Sequence, residues 1–357
     1  MGKKKNNKDK KNKTNSDNYP RVSICTPTFN RRPFFKGLID SIHAQNYPKD
    51  KIEWIIVDDG TDKIEDLVKD IPFVKYFYTE KMSLGKKRNF MHDQCSFKND
   101  DDILIYFDDD DYYPKERISH AVEKLTGSSA LCAGSSEIYI WFNTLNKMYR
   151  FGPYGPNHGT AGTFAFKREL LKQTSYENDA LLAEEKHFLK NYTIPFVQLD
   201  PLKTILVISH EQNTFDKRRL ISPDNKQCNE SALKPKNFIK SPELFSFYIE
   251  EIPKLLENYK EGSIFNKPDV LAEIDKRDKE RMQSQNQGQQ VTVKNPDGST
   301  RVLQTHEIIQ ALQNVTNESM ELKKQNELLK DTLEPLRNKL VIMEQIIQRN
   351  HLQKFFM

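Results

Sequence analysis

Four consecutive aspartates, Asp108 to Asp111, follow the apolar run Leu104 to Phe107 in this chain of 357 residues. In an extended segment successive side chains point to opposite sides, so the first and third carboxylates share one side and the other two face away. Like charges this close repel, and a hard divalent cation that bridges to phosphate oxygens would offset the repulsion. The run therefore predicts a metal and phosphate site, and the alternative is a solvated acidic loop.

A second predicted strand also ends in paired carboxylates. The run IEWIIVDDG, from Glu53 to Gly60, ends with Asp58 and Asp59. In open α/β sheets ligands bind beyond the carboxyl ends of the strands. Two strands that end in Asp at the same edge of one sheet would form an acidic cleft, which favours the metal and phosphate site over the solvated loop.

A basic stretch follows the third predicted strand. The segment SLGKKRN, from Ser83 to Asn89, enters a predicted helix. Backbone amides at a helix N-terminus can bind phosphate, and Lys86 and Arg88 would supply positive charge. The alternative is an ordinary basic first turn, so the stretch supports a ligand site only together with the two acidic strand ends.

A doubly wound sheet could position these residues. From Arg21 to Asp216, short β-rich runs alternate with amphipathic helical patterns, which is typical of a mostly parallel sheet in an α/β fold. The strand runs are apolar throughout, as burial on both faces of a helix-covered sheet requires. The sequence predicts a disordered basic tail (1–19), the α/β domain (20–220), a helical extension (221–283), a linker with a possible hairpin turned at Pro296-Asp297-Gly298 (284–304) and a coiled coil (305–357).

The last predicted segment carries a heptad pattern. Apolar residues recur at alternating spacings of four and three from Ile308 to Ile347, interrupted in the seam by Ser319 and Asn326. A sustained heptad predicts a coiled coil, and a buried Asn commonly favours a two-stranded pairing. Pro335 lies off the seam and is expected to kink the helix. We expect a homo-oligomer, with a helix that folds back on the parent domain as the alternative.

Composition argues against several other classes of protein. The 55 basic and 51 acidic residues leave a net charge of +4, much of it in the N-terminal tail, so charge does not indicate nucleic-acid binding. Four cysteines without a CxxC pair argue against a zinc ribbon or a disulfide framework and fit a reducing compartment. No apolar run approaches the roughly 20 residues that span a bilayer, and no signal peptide is recognisable. We expect a cytoplasmic protein with no membrane span.

Six segments, in this order, resemble the family-2 glycosyltransferases of the GT-A fold. They are RVSICTPTFNR, WIIVDDGT, LGKKRN, YFDDDDYYP, HGTAGTFAFKREL and AEEKHF. The resemblance covers roughly Arg21 to Asp216 and leaves out the tail and the coil. The Lys- and Asn-rich composition is also similar to that of proteins from AT-rich genomes such as those of giant viruses, which would make the chain virus-encoded.

The resemblance implies a nucleotide-sugar donor site. It places Thr28 near a uracil or guanine base and makes Asp59 the hydrogen-bond acceptor for that base. Arg88 would contact the base or a phosphate, with Lys86 as a looser candidate. Asp108, the first carboxylate of the DxD motif, would contact the ribose.

The resemblance also implies a metal site and a general base. Asp110 would bind Mn²⁺, or Mg²⁺, at the donor diphosphate, and His210 would be a further ligand after the last strand. A mixed imidazole and carboxylate site suits manganese better than calcium. The family's base maps onto Glu185, with Glu184 as the alternate, because Glu stands where Asp is common.

On the acceptor side, the resemblance points to the segment from Gly159 to Leu171, where small residues such as Gly162 allow a sugar to approach closely. Trp141 and Tyr154 are candidates for stacking on sugar rings, with burial in the core as the alternative. The acceptor would be a hydroxyl of a glycan or a protein.

We therefore expect a metal-dependent, inverting glycosyltransferase that moves a sugar from a nucleotide-sugar, preferably a UDP-sugar, to an acceptor hydroxyl. Inversion follows because a single attack occurs opposite the leaving group. Two alternatives stay open. One is a nucleotidyltransferase on a related fold, which would not need the base in AEEKHF, and the other is a coiled-coil scaffold with an inactive transferase domain.

Overall fold

The computed structural model describes residues 19–182, 184–222, 225–288, 292–294 and 298–353. Residues 1–18 of the predicted tail lie outside these ranges, as do Pro296 and Asp297 of the predicted turn. The chain divides into two compact units, one up to Asp275 and the other from Lys276 onward.

The first unit is built on two sheets of short strands. The strands are β1 (Val22–Thr28), β2 (Ile52–Asp58), β3 (Val74–Tyr78), β4 (Ile103–Tyr106), β5 (Cys132–Gly134), β6 (Ile138–Phe142), β7 (Lys147–Phe151), β8 (Ala165–Lys167), β9 (Phe196–Gln198), β10 (Val207–Ser209) and β11 (Cys228–Glu230).

Helices connect and cover these strands. They are α1 (Phe35–His43), α2 (Glu65–Val68), α3 (Leu84–Gln94), α4 (Arg117–Thr126), α5 (Glu185–Phe188), α6 (Pro235–Phe238), α7 (Pro242–Ser246) and α8 (Ile252–Glu257). A π-helical turn, Phe247–Glu251, joins α7 to α8, and α9 (Pro268–Gly288) begins at the end of the unit.

The larger sheet has the order β3-β2-β1-β4-β8-β5-β9. Its first four strands in this order pair in parallel. β8 runs antiparallel to both of its neighbours, and β9 is parallel to β5. The predicted α/β fold with a mostly parallel sheet is confirmed.

Successive residues of the central strands are buried in different hydrophobic clusters. Ile24 and Trp54 belong to one cluster, while Cys25 and Ile55 belong to another, and all four are fully buried. Because neighbouring residues of a strand point to opposite faces, both faces of the sheet are covered. This explains why the strands are apolar throughout rather than alternating.

The smaller sheet, in the order β10-β6-β7-β11, brings the end of β10 to the acidic run. Tyr112 and Leu206 exchange two backbone hydrogen bonds of 3.1 and 2.9 Å. The Ile208 amide donates to Asp111 Oδ1 at 2.9 Å. These bonds hold the acidic run against the strand that precedes His210.

The helical extension packs on α1 and on the smaller sheet. The rings of Phe247 and Tyr248 lie over Gly37 of α1, so close that a Cβ at this glycine would be 3.0 Å from the Tyr248 ring. Their hydrophobic cluster also contains Phe238 and Leu244 of the extension.

The second unit contains the antiparallel pair β12 (Thr292–Lys294) and β13 (Thr300–Val302) and the helix α10 (Thr305–Gln353), which runs through Pro335. Leu322 and Leu329 of the predicted seam are 54% and 57% exposed. Self-association through this seam stays a prediction. Among the described helices, none is long and apolar enough to cross a membrane.

Candidate active site

A cleft of about 400 Å³ opens beyond the carboxyl ends of β1 and β4, the place where open α/β sheets bind ligands. It is lined by six carboxylate and five cationic side chains. The carboxylates are Asp108, Asp109, Asp110, Asp111, Glu184 and Glu185, and the cations are Arg31, Lys87, Arg88, Lys217 and Lys267. The acidic run thus lines a cavity whose walls carry both negative and positive charges.

Asp110 and His210 meet in this cleft. His210 Nε2 lies 3.1 Å from Asp110 Oδ2, and the Gln212 amide nitrogen lies 3.2 Å from His210 Nδ1. Burial lowers the pKa of His210 to about 4. Burial by itself would raise the pKa of Asp110, but the hydrogen bond from His210 and the charge of Arg31 hold it well below its usual range. A neutral imidazole therefore lies beside an ionised carboxylate.

Asp109 and Asp111 of the acidic run differ in their surroundings. Asp111 is buried, with its Oδ1 hydrogen-bonded to the backbone of β10, which suits a role in fixing the loop. Asp109 is buried near Arg31, with its Oδ1 3.9 Å from the guanidinium Nε. Burial and the negative charge of Asp110 raise the pKa of Asp109 to about 7.

Arg88 connects the acidic run to the predicted base region. Its Nε donates to Glu184 Oε1 at 2.7 Å, and its Nη2 lies 3.6 Å from Asp108 Oδ1. The guanidinium also lies over the Tyr106 ring, 4.3 Å from its centroid. Although burial opposes it, the carboxylates of Glu184 and Asp108 raise the pKa of Arg88. Arg88 is therefore a permanently charged group held at the cleft wall.

Asp59 forms a buried ion pair with Lys87, a residue that the sequence analysis did not single out. The second oxygen of Asp59 accepts a hydrogen bond from the Met82 amide at 3.0 Å. Lys87 also donates to the backbone carbonyl of Thr28 at 3.0 Å, and both residues line the cleft. Burial lowers the pKa of Lys87 despite its anionic partner. Lys86 is exposed and does not line the cleft, so the structure does not bring it to the site.

Glu185 and Gly162 both lie at the cleft. Glu185 is the first residue of the short helix α5, directly after the ion-paired Glu184. Gly162 lies so close to the acidic run that a Cβ there would be 2.6 Å from Asp108 Oδ2. The glycine therefore keeps space for the Asp108 carboxylate.

The two predicted sugar-stacking aromatics have different positions. Trp141 is 6% exposed and packs in the hydrophobic cluster under the helical extension, so this structure does not support its predicted acceptor role. Tyr154 is 36% exposed, and its ring lies 4.9 Å from that of His158, which in turn stacks on Tyr192 at 4.8 Å. Of the two, Tyr154 alone keeps a surface that a sugar could reach.

Several site residues were missed by the sequence analysis. Arg31, within the quoted PTFNR segment, lies 3.7 Å from Asp110 Oδ2 through its Nε. Asn213 donates to Asp110 Oδ2 at 3.3 Å. Lys217 and Lys267 come from segments without a recognisable motif and also line the cleft.

The residues present fit a divalent cation that is shared with a phosphate ligand. In the described ranges, no group of three or more His, Cys, Asp or Glu side chains is placed to hold a metal ion by itself. Asp110 and His210 nevertheless offer one carboxylate oxygen and one imidazole nitrogen, and cations at phosphate sites commonly take one or two protein ligands. Asp108 Oδ1 is buried and makes no hydrogen bond within the same ranges. A bound phosphate and water would therefore complete the coordination of a cation held by Asp110 and His210.

Comparison with known families gives a match over the part of the chain that builds the sheet and the acidic run. A family model described as glycosyl transferase family 2 matches residues 23–181. No curated protein sequence matches the chain.

Among solved structures, this chain is similar to S. aureus TarS, with 19% identity and a TM-score of 0.41 over 54% of this chain. The chain spans only 37% of that protein. TarS 1–349 in complex with UDP-GlcNAc gives 15% identity and a TM-score of 0.44, covering 79% of this chain and 96% of that one. The mannosyltransferase PcManGT from Pyrobaculum calidifontis, in complex with GDP-Man and Mn²⁺, gives 16% identity and 0.44, covering 72% and 75%.

The family match covers β1, β2, β4 and the whole acidic run, whereas Glu184, Glu185, Lys217 and Lys267 of the cleft lie beyond it. Residues 23–181 of this chain therefore form a region that matches glycosyltransferase family 2.

Proposed function

We propose that this chain transfers a sugar, with inversion, from a nucleotide-sugar, preferably a UDP-sugar, to a hydroxyl of a glycan or protein, using Mn²⁺ or Mg²⁺. The observation that carries the proposal is the contact between Asp110 and His210 at 3.1 Å, inside a cleft that Glu185 also lines. A candidate metal site and a candidate base thus border one cavity. The cation would stabilise the leaving group, and the base would take the proton from the attacking hydroxyl.

On the donor side, Asp110 and His210 would hold the cation, and a cation there would stabilise the negative charge that develops on the leaving diphosphate. Arg88 and Lys87 supply fixed positive charge at the same wall. Their positions are set before the donor binds, so little reorganisation is needed as the bond breaks. Thr28 lines the cleft and Asp59 lines a side pocket next to it, where we place the nucleobase.

On the acceptor side, Glu185 is the better candidate for the general base. Glu184 is committed to its ion pair with Arg88, and its side chain is only 4% exposed. A carboxylate that is buried in an ion pair is hard for an acceptor hydroxyl to reach. Glu185 would remove the proton from the acceptor hydroxyl as that oxygen attacks the sugar. Gly162 and Tyr154 would line the acceptor path.

A donor screen tests this proposal. Purified full-length protein is incubated with Mn²⁺ and a panel of UDP- and GDP-sugars, and the released nucleotide is identified by chromatography. We expect a nucleoside diphosphate from one donor, with release reduced by a metal chelator. Release of pyrophosphate would instead indicate a nucleotidyltransferase, and no release with any donor would favour an inactive domain.

We also propose that α10 pairs with copies of itself. Leu333, Leu336 and Leu340 of the heptad seam are 57–60% exposed in the single chain. A row of large apolar side chains on one stripe of a helix is stabilised when a second helix covers it.

A further inference from the structure

A segment beyond the family match crosses the first loop of the cleft. We call residues 259–270 the strap. Asn30 Nδ2 donates to the Glu261 carbonyl at 2.9 Å, and Arg31 Nη1 donates to the Gly262 carbonyl at 3.0 Å. Tyr259 Oη donates to Asp62 Oδ2 at 2.8 Å. The strap is therefore fixed to the loop that follows β1.

Gly262 allows this close approach. A Cβ at this position would be 2.9 Å from the Asn30 carbonyl oxygen and 3.0 Å from Arg31 Nη1. The same arginine donates to the Gln212 carbonyl at 2.6 Å through Nη2 and faces Asp110 through Nε. Arg31 thus links the strap to the predicted metal site.

The strap places Lys267 between two cavities. Lys267 lines the main cleft together with Thr28 and the acidic run, and it also lines a side pocket of about 100 Å³ that contains Asp59. Its ammonium donates to Thr214 Oγ1 at 3.1 Å and lies 5.0 Å from the centroid of the Phe29 ring. If a nucleoside occupied the side pocket and its phosphates occupied the cleft, Lys267 would lie beside the bond that joins them.

The ammonium of Lys267 has neutral partners. Arg31, Lys87 and Arg88 each lie beside a carboxylate. For Lys267, the hydroxyl and the ring are its contacts in the part of the chain that the structure describes, and no carboxylate there forms an ion pair with it. Burial and the charge of Arg31 lower the pKa of Lys267 to about 7, against the opposing charges of Asp109 and Asp110. A cation held this way at a cavity wall is stabilised when an anion enters.

We propose that Lys267 binds the diphosphate of the donor at the junction of the side pocket and the cleft, which makes this residue of the strap part of the donor site. This inference rests on the proposed function. It assigns donor binding to a residue outside positions 23–181, to which the family model is confined.

The test compares three substitutions in the full-length protein. Lys267→Met removes the charge and keeps much of the side-chain volume, Lys267→Arg restores a charge, and Lys260→Met is the matched control on an exposed part of the strap. Calorimetry with Mn²⁺ measures binding of UDP and GDP, and of uridine and guanosine, which lack phosphate. Thermal unfolding shows whether each variant is folded.

We expect Lys267→Met to weaken binding of the diphosphate by about ten-fold or more, the scale of a lost charged hydrogen bond. Binding of the nucleoside should be unchanged, Lys267→Arg should recover most of the affinity, and Lys260→Met should match the wild type. Equal affinity of Lys267→Met and wild type for the diphosphate would overturn the inference and leave the proposed function intact. Failure of the wild type to bind either diphosphate would overturn both.

Discussion

Asp110 is the residue whose replacement bears most directly on metal use. Asp110→Asn keeps the size of the side chain and removes the charge that lies 3.1 Å from His210 Nε2. We expect donor turnover in Mn²⁺ to fall about 100-fold or more, because charge on the leaving group is no longer compensated. Steady-state release of the nucleoside diphosphate measures this.

The matched control for that variant is Asp101→Asn. Asp101 is an exposed aspartate just before β4, on the same stretch of chain and away from the cleft. It should retain wild-type turnover. Full activity of Asp110→Asn would show that another group holds the metal or that no metal is used.

The two adjacent glutamates should separate into catalytic and structural roles. Glu185→Gln should leave donor binding intact and lower transfer by about 10²- to 10⁴-fold, since proton removal is lost. Glu184→Gln removes the negative charge that lies 2.7 Å from the buried Arg88 guanidinium, so the free energy of unfolding should fall, by up to about 3–5 kcal/mol. Calorimetry, transfer assays and chemical denaturation distinguish the two.

If Glu185→Gln transferred sugar at the wild-type rate, the role of base would have to move to Glu184. The denaturation experiment would then test whether the ion pair between Glu184 and Arg88 stabilises the fold. Wild-type stability of Glu184→Gln would mean that the ion pair contributes little.

At the residue scale, the sequence could indicate residue types but not always which neighbour faces the site. Lys86 was predicted, and Lys87 is the residue in the cleft. The rotation of α3 is set by distant packing, because the Gly85 amide donates to the Ala180 carbonyl at 2.9 Å and a Cβ there would collide with the Glu177 carbonyl. No local pattern in SLGKKRN reports that contact.

At the element scale, the parallel strands could be predicted because their apolar runs reflect burial on both faces. Whether Trp141 faces the core or the solvent could not be predicted. The helices that cover it, α6 to α8, lie about a hundred residues later in the chain, and a strand side chain points to core or solvent according to what covers it.

Helices α3 and α5, which carry Arg88 and Glu185, are held together by an aromatic cluster around a buried histidine. His92 Nε2 lies 2.7 Å from Tyr106 Oη, and its ring contacts Phe166 and Phe188. Burial lowers the pKa of His92 from 6.5 to about 3. Between these values the unfolded chain binds a proton that the folded chain does not, so stability rises with pH up to about 6.5.

Denaturation as a function of pH tests this arrangement. We expect the free energy of unfolding to decrease as pH falls below 6.5, with His92 contributing up to about 1.4 kcal/mol per pH unit. His92→Gln should reduce the slope, while His187→Gln, at an exposed position of α5, should keep it. Identical slopes in all three proteins would exclude His92 as the group responsible.

At the scale of the whole molecule, the C-terminal helix should set the oligomeric state. Leu322 and Leu329 lie in the heptad seam of α10 and are more than half exposed. In the full-length protein, Leu322→Glu with Leu329→Glu should convert an oligomer into a monomer, because charges at these positions prevent helix pairing. Sedimentation velocity measures the mass of each form.

The control for this pair is Lys324→Glu with Asp331→Lys, which changes charge on the side of the helix opposite the seam. It should keep the wild-type mass. A monomeric wild-type protein would contradict the prediction and leave the apolar row on α10 without an explanation.

The strap also bears on when the enzyme becomes active during synthesis. Translation releases the acidic run and the base region well before residues 259–270, and N-terminal parts of a chain begin to fold first. Until the strap has left the ribosome, Asn30 and Arg31 lack their partners at Glu261 and Gly262, and Lys267 does not yet exist. A nascent chain would therefore hold donor poorly, which delays sugar transfer until residues 259–270 have left the ribosome.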